Sequence, residues 1–310
     1  MASNIQFSFL ELADVQPMSF VDVGSAWRQQ DFYDLAARNN GLIHAFDPFD
    51  TQPHKNMSES GFHYHPYLIG KGENVNFYET EVGYTSSTFP PNLEVASAYS
   101  GLPELLNLKK IHQMQSVRLD SIPSIKSIDL LKADVQGGEL DVLIGAGNLL
   151  SETLVAQLEV GFVELYVGQP MFADIDSYMR SRGFQFHRFY SKGLVLFAPW
   201  QQPDPNQLFG ISQQLWGEAI YIRDISAIDR MSSEAQLKFI AIMHDVYRSF
   251  DLCLHALTKV RGAETKKVVD QYVERHNGGG QQRNKKPPCA QHGDSARAAQ
   301  GDKSQREQGR

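Results

Sequence analysis

The sequence is poor in cysteine. Cys253 and Cys289 are the only two in 310 residues, far apart and with no CxxC pair. That spacing excludes a disulfide scaffold and a cysteine-based zinc cluster, and it suits a reducing compartment. Long apolar runs are also missing: none approaches the roughly 20 residues of a membrane-spanning helix. The opening residues, MASNIQFSFLELADVQ, lack the basic segment and apolar core of an export signal. The expectation is a cytoplasmic protein with no membrane partner. Positive charge is scarce too, since 29 Lys and Arg against 36 Asp and Glu leave a net charge of −7. No nucleic acid is therefore expected as an electrostatically held partner.

What is present is an ordinary globular composition, 42% hydrophobic and 21% charged, enough for one large α/β domain with an appendage. Short apolar runs alternate with helical patterns. Strands are expected over 19–23 (SFVDV), 42–46 (LIHAF), 63–69, 75–79, 128–135, 154–160 (LVAQLEV), 184–190, 194–197 and 219–222. Helices are expected through position 39, over 138–146 and over 174–182. This alternation implies βαβ units and a mostly parallel sheet with helices on both faces. Ligands on such sheets sit beyond the carboxyl ends of the strands, where Asp22, Asp47, Asp134 and Glu159 fall.

Two C-terminal segments stand apart. Over 232–260, Leu237, Ile240, Met243, Tyr247, Phe250, Leu254 and Leu257 recur every three or four residues, a single apolar stripe on one expected helix. The stripe either packs on its own domain or forms a homodimer seam. From 277 to 310 large apolar residues nearly vanish, and seven Lys/Arg face three acids. A disordered basic tail is expected there. The domain reading is 1–230 for the α/β domain, 231–276 for a helical extension and 277–310 for the tail.

The acids carry the chemistry. Asp22 and Gly24 (FVDVGS) end the first strand, and the glycine lets backbone approach a ligand closely. Asp47 follows the second strand, where a doubly wound fold places an acid against ribose hydroxyls. The GxGxxG pattern of dinucleotide binding is absent, which disfavours a nicotinamide-dependent reductase. In LLKADVQGGELDVLIGA an apolar strand ends at Asp134, Gly137 and Gly138 make a turn, and Glu139 opens a helix. In that first turn Glu139 complements the helix dipole, a sufficient structural reason for it.

That stretch resembles the signature of the FkbM-type S-adenosylmethionine-dependent methyltransferases, K-I-D-V-E-G-x-E-x-x-V-L-x-G-A. Lys132, Asp134, Val135, Gly137, Glu139, Leu143, Gly145 and Ala146 match in register. FVDVG at 20–24, AFDP at 45–48, VRLD at 117–120, ELYVGQ at 164–169 and GEAIY at 217–221 follow in the family's order. Gln136 stands where the family has Glu, and Ala26 and Arg28 depart from its first loop.

The resemblance implies a Rossmann-like class I methyltransferase fold and O-methylation of a hydroxyl on a sugar, glycan or related small metabolite. It implies S-adenosyl-L-methionine held by Asp22, Gly24, Ser25 and Asp47. Asp134 would be catalytic, with Glu139 and Glu159 as further acids, and Ser86, Ser87 and Thr88 would bind the acceptor. The three departures leave a non-catalytic binding module as the alternative. No metal is expected, although Asp134 and Glu159 end adjacent strands that one divalent ion could bridge; His63 and His65, on one side of a strand, read as ordinary histidines.

Overall fold

The computed structural model describes residues 7–25, 29–49, 61–202, 208–262 and 264–278. Its centre is a seven-stranded sheet built from β1 (Ser19–Val23), β2 (Leu42–Phe46), β3 (Phe62–His65), β6 (Leu130–Ala133), β7 (Val155–Gly161), β8 (Phe184–Leu194) and β9 (Gln214–Arg223). β4 (Asn74–Thr80) and β5 (Leu108–Gln115) form a separate antiparallel pair. The order in the large sheet is β3-β2-β1-β6-β7-β9-β8, parallel as far as β7 and antiparallel at both β7–β9 and β8–β9. The strand order reverses between β1 and β6, since β2 follows on the far side of β1 and β7 on the far side of β6, and this is where such sheets bind ligands.

Strand parity assigns each face. Val21, Val23, Leu131 and Ala133 turn to one side, where α4 (Glu139–Ala146) and α5 (Phe172–Ser181) cover them. Phe20 and Leu130 turn to the other, beneath α1 (Gln30–Arg38), α7 (Ser233–Asp245) and α8 (Phe250–Leu257). Both faces of the central strands are buried, as their near-continuous apolar sequences require. α2 (Leu93–Ala96), α3 (Leu102–Leu105), α6 (Ile225–Ile228) and α9 (Thr265–Gly278) complete the α-helices among the described residues.

One expectation for the C-terminal part needs correction. The helix expected over 232–260 is two helices, because Arg248 adopts a left-handed conformation (φ 54°) between them. Of its stripe, Ile240, Met243, Tyr247 and Leu257 are fully buried in the same core as Phe20 and Ile43. α7 buries Phe239, Ile240, Ala241, Ile242 and Met243 in succession, as a core helix does. Of the expected tail, Asn277 and Gly278 end α9, and the rest lies outside the described residues.

A buried polar row crosses this face. Asp22 and Lys132 are register neighbours on β1 and β6, and Lys132 Nζ lies 3.2 Å from Asp22 Oδ1. The Tyr33 hydroxyl donates to Asp22 Oδ2 at 2.8 Å. Gln157, next to Lys132 on β7, accepts from the Tyr247 hydroxyl at 2.9 Å and donates to Glu218 at 3.0 Å. Burial pulls down the proton affinity of Lys132, but the Asp22 carboxylate, then Asp134, hold it above the ordinary lysine value.

Candidate active site

Beyond the carboxyl ends of β1, β2, β6 and β7 opens a cavity of about 1340 Å³. Gly24 lies at its floor with φ +81°, and a Cβ there would run into the Asp134 carbonyl. Only glycine permits that approach of two strand ends. Gly24 N–H donates to the Phe46 carbonyl at 2.9 Å, which ties in the end of β2.

The turn after β6 gathers three carboxylates. Gln136 (φ 58°) and Gly137 (φ 95°) are both left-handed, which reverses the chain sharply before α4. Glu139 then reaches back, accepting from Val135 N–H at 2.8 Å and Gly137 N–H at 3.4 Å. It braces the turn as well as opening the helix. Oxygens of Asp134, Glu139 and Glu159 consequently lie within 4.8 Å of one another. One divalent cation could be held by such a set. Gln136 fills part of that role: its Nε2 donates to Asp134 Oδ1 at 2.9 Å and to Glu159 Oε2 at 2.7 Å. The same side chain accepts from the Tyr166 hydroxyl at 3.0 Å, and its carbonyl accepts from the Ser87 hydroxyl at 2.6 Å.

Crowding and burial raise the proton affinity of this cluster. Burial pushes Glu139 up to about 8, against the hydrogen bonds from the turn. Burial first, then the Asp134 and Glu139 carboxylates, hold Glu159 well above the usual carboxylate range. Both groups keep protons to higher pH in the fold than in the unfolded chain. Their stabilisation is therefore complete below the ordinary carboxylate value of 4.5 and is lost as pH climbs, for Glu139 through about 8. The melting temperature of the wild type should fall by several degrees more than that of Glu139→Gln between about pH 6 and 8.5. Parallel pH–melting curves for the two proteins would count against the raised value.

The expected site residues divide. Gly24, Asp47, Asp134, Glu139, Glu159, Ser86 and Thr88 all line the cavity. Asp47 sits just past β2, its Oδ1 accepting from Phe49 N–H at 2.9 Å and its carbonyl from the Tyr64 hydroxyl at 2.6 Å. Asp22 and Ser25 are fully buried and do not line it. Even parity on β1 turns the Asp22 carboxylate toward Lys132 and Tyr33, away from the strand end. Ser87 is likewise withdrawn, since its hydroxyl holds the Gln136 carbonyl. Ser86 accepts from Thr80 N–H at 3.0 Å, whereas the Thr88 hydroxyl is buried with no partner. His63 and His65 lie outside the cavity. His65 Nε2 is 3.0 Å from His44 Nδ1, and His63 stacks on His44 at 5.2 Å. Burial, then His65, pushes His44 down to about 4.

Gln136 and Tyr166 were not among the expected site residues. The first appeared only as a departure from a motif and the second only as a match to one. A sequence signal existed for Gln136, the amide between an acid-ended strand and two glycines.

A parallel sheet in this order, with β9 the one antiparallel strand inserted between β7 and β8 and carboxylates gathered at its switch point, defines a Rossmann-like class I methyltransferase fold. The methyltransferase FkbM domain model matches residues 25–186, 162 of 310 positions, and the chain belongs to that family. Among solved structures, that of magnesium protoporphyrin IX methyltransferase from Synechocystis PCC 6803, with bound SAM, is similar at 9% identity and a TM-score of 0.33. The alignment covers 70% of this chain and 76% of that one. No curated protein matches the sequence significantly.

Proposed function

We propose that the protein transfers the methyl group of S-adenosyl-L-methionine to a hydroxyl oxygen of an acceptor. The observation that carries this is the carboxylate cluster at the switch point of a methyltransferase-family sheet, facing a cavity whose floor is an obligatory glycine. Gly24 and Asp47 would hold the cofactor, Gly24 through close backbone approach and Asp47 through hydrogen bonds to ribose hydroxyls. Bound there, the cofactor supplies an electrophilic methyl group on a sulfonium.

The chain's own task is to orient the acceptor and remove its proton. Asp134 is the proposed base, because it lines the cavity and Gln136 fixes its orientation. Glu159, with its raised proton affinity, is placed to share the abstracted proton. Tyr166 holds Gln136 in place, so the base is positioned by a chain of hydrogen bonds instead of a free rotamer.

A sugar or glycan acceptor is the class implied by the resemblance, with Ser86, Ser87 and Thr88 as its ligands. Only the Thr88 hydroxyl in that group is unpartnered, so the loop lends little support to so polar an acceptor. The cofactor assignment is tested with Asp47→Ala. Losing buried hydrogen bonds worth about 1–3 kcal/mol should weaken S-adenosylmethionine binding roughly 5- to 150-fold by calorimetry. Unchanged affinity in a folded variant would refute the ribose role, and wild-type protein that binds no S-adenosylmethionine would refute the reading.

A further inference from the structure

Pockets for drug-sized ligands occupy about 300–1,000 Å³, whereas this cavity occupies about 1340 Å³. A cofactor alone does not need that space, and the remainder has a distinct chemistry. Tyr166 links the carboxylates to it. Its hydroxyl donates to Gln136, while its ring belongs to a third apolar cluster with Leu102, Leu106, Leu165 and Leu215. These four leucines line the cavity, joined by Leu208 and Trp216. The β8–β9 connection that supplies Leu208 also exposes Phe197 (45%), Trp200 (61%), Phe209 (52%) and Ile211 (64%) to solvent. The described residues of this connection thus supply both a cavity-wall leucine and exposed apolar side chains, a combination expected near an apolar ligand site.

Charge gives a second, independent constraint. Eight of the described lining residues are Asp or Glu, and Lys71 is the one Lys or Arg among them. Lys71 is already paired with Asp141 at 3.2 Å. Among the described lining residues there is no unpaired cation to receive a phosphate or a carboxylate. An anion entering here would lose its hydration with no free cation to compensate it. A polyol would fare poorly for a different reason. Its many hydroxyls would be desolvated against leucine, while the Thr85 hydroxyl on that wall is committed to the Leu105 carbonyl.

We infer that the acceptor is an uncharged amphiphile, its apolar body seated among Leu102, Leu106, Leu165, Leu208 and Leu215 and its hydroxyl presented to Asp134. Phosphorylated and carboxylated acceptors are rejected because the described lining offers no unpaired cation. The inference rests on the methyltransferase reading and narrows its substrate class.

The test uses the full chain saturated with S-adenosylhomocysteine, whose binding is first measured alone. Decan-1-ol, decyl phosphate and methyl α-D-glucopyranoside are then titrated calorimetrically. Decanol should bind at least about tenfold more tightly than either of the others, a difference of ~1.4 kcal/mol. Leu208→Glu should weaken decanol by about tenfold or more and change S-adenosylhomocysteine affinity by less than about twofold. Decyl phosphate or the glucoside matching decanol overturns the inference, as does decanol failing to bind up to its solubility limit. An unaltered decanol affinity in Leu208→Glu overturns it as well. Absence of S-adenosylhomocysteine binding in the first step overturns the methyltransferase reading instead.

Discussion

Asp134→Asn is expected to lower turnover by about 10²-fold or more while leaving S-adenosylmethionine affinity nearly unchanged. The substitution is close to isosteric, so Gln136, which donates to Asp134 Oδ1 at 2.9 Å, can keep a partner there. What disappears is an acceptor for the hydroxyl proton at the carboxyl end of β6. Glu139→Gln should cost less, because the amide oxygen can still accept from Val135 N–H and brace the turn. Single-turnover assays with labelled cofactor, once an acceptor is found, decide between the two acids. If Asn at 134 turns over like wild type and Gln at 139 is dead, the roles are reversed.

The largest effect on stability is expected at Lys132. Its side chain is almost wholly buried against a fully buried Asp22. Removing one partner of such a pair strands a charge in the core, at a cost of about 3–5 kcal/mol. Lys132→Met should therefore lower the melting temperature by about 5–10 °C in a protein of this size. Adding Asp22→Asn should recover much of that loss, because the amide has no charge to strand and can still accept from Tyr33. A Lys132→Met protein that melts within about a degree of wild type would show that the pair does not tie β1 to β6. The double variant also tests the expected cofactor role of Asp22. If its S-adenosylmethionine affinity matches wild type, Asp22 serves the fold alone.

Much of the sheet was legible because its strands are short, apolar and punctuated by acids or glycines. SFVDV and LIHAF coincide with β1 and β2 residue for residue. β5 was not foreseen: in LKKIHQMQ the apolar residues Leu108, Ile111 and Met114 fall at every third position, so neither a period of two nor a buried face marks it. The breaks at 190–194 and 246–249 also went astray in opposite directions. β8 runs unbroken through Ser191–Lys192–Gly193, whereas the 232–260 helix breaks at Arg248, where the sequence offers neither glycine nor proline. In each case tertiary context outweighed local preference. For the site, strand ends located the acids, but only parity and register separate those facing the cavity from one facing the core. Asp22 and Asp134 look alike in sequence. Asp22 lies inside its strand, with its side chain committed to one face, whereas Asp134 lies one residue past the end of its own.

The segment that opens the described chain and the one that closes it are bound together. Ser8 and Phe9 donate to the Asp245 carboxylate, and Glu11 pairs with Arg275 at 2.6 Å. Both lie outside the stretch that matches the family, 25–186, yet they cover one face of its sheet with α7 and α8. During synthesis, at about 5–20 residues per second, Phe20, Ile43 and Leu130 emerge long before α7 and α8, so for on the order of ten seconds this face has only α1 over it. Folding of the β1–β6 half is thus incomplete until α7 and α8 are made. A release or stall before residue 233 leaves a chain with its strands made and their apolar face only partly covered, a substrate for chaperones and for aggregation.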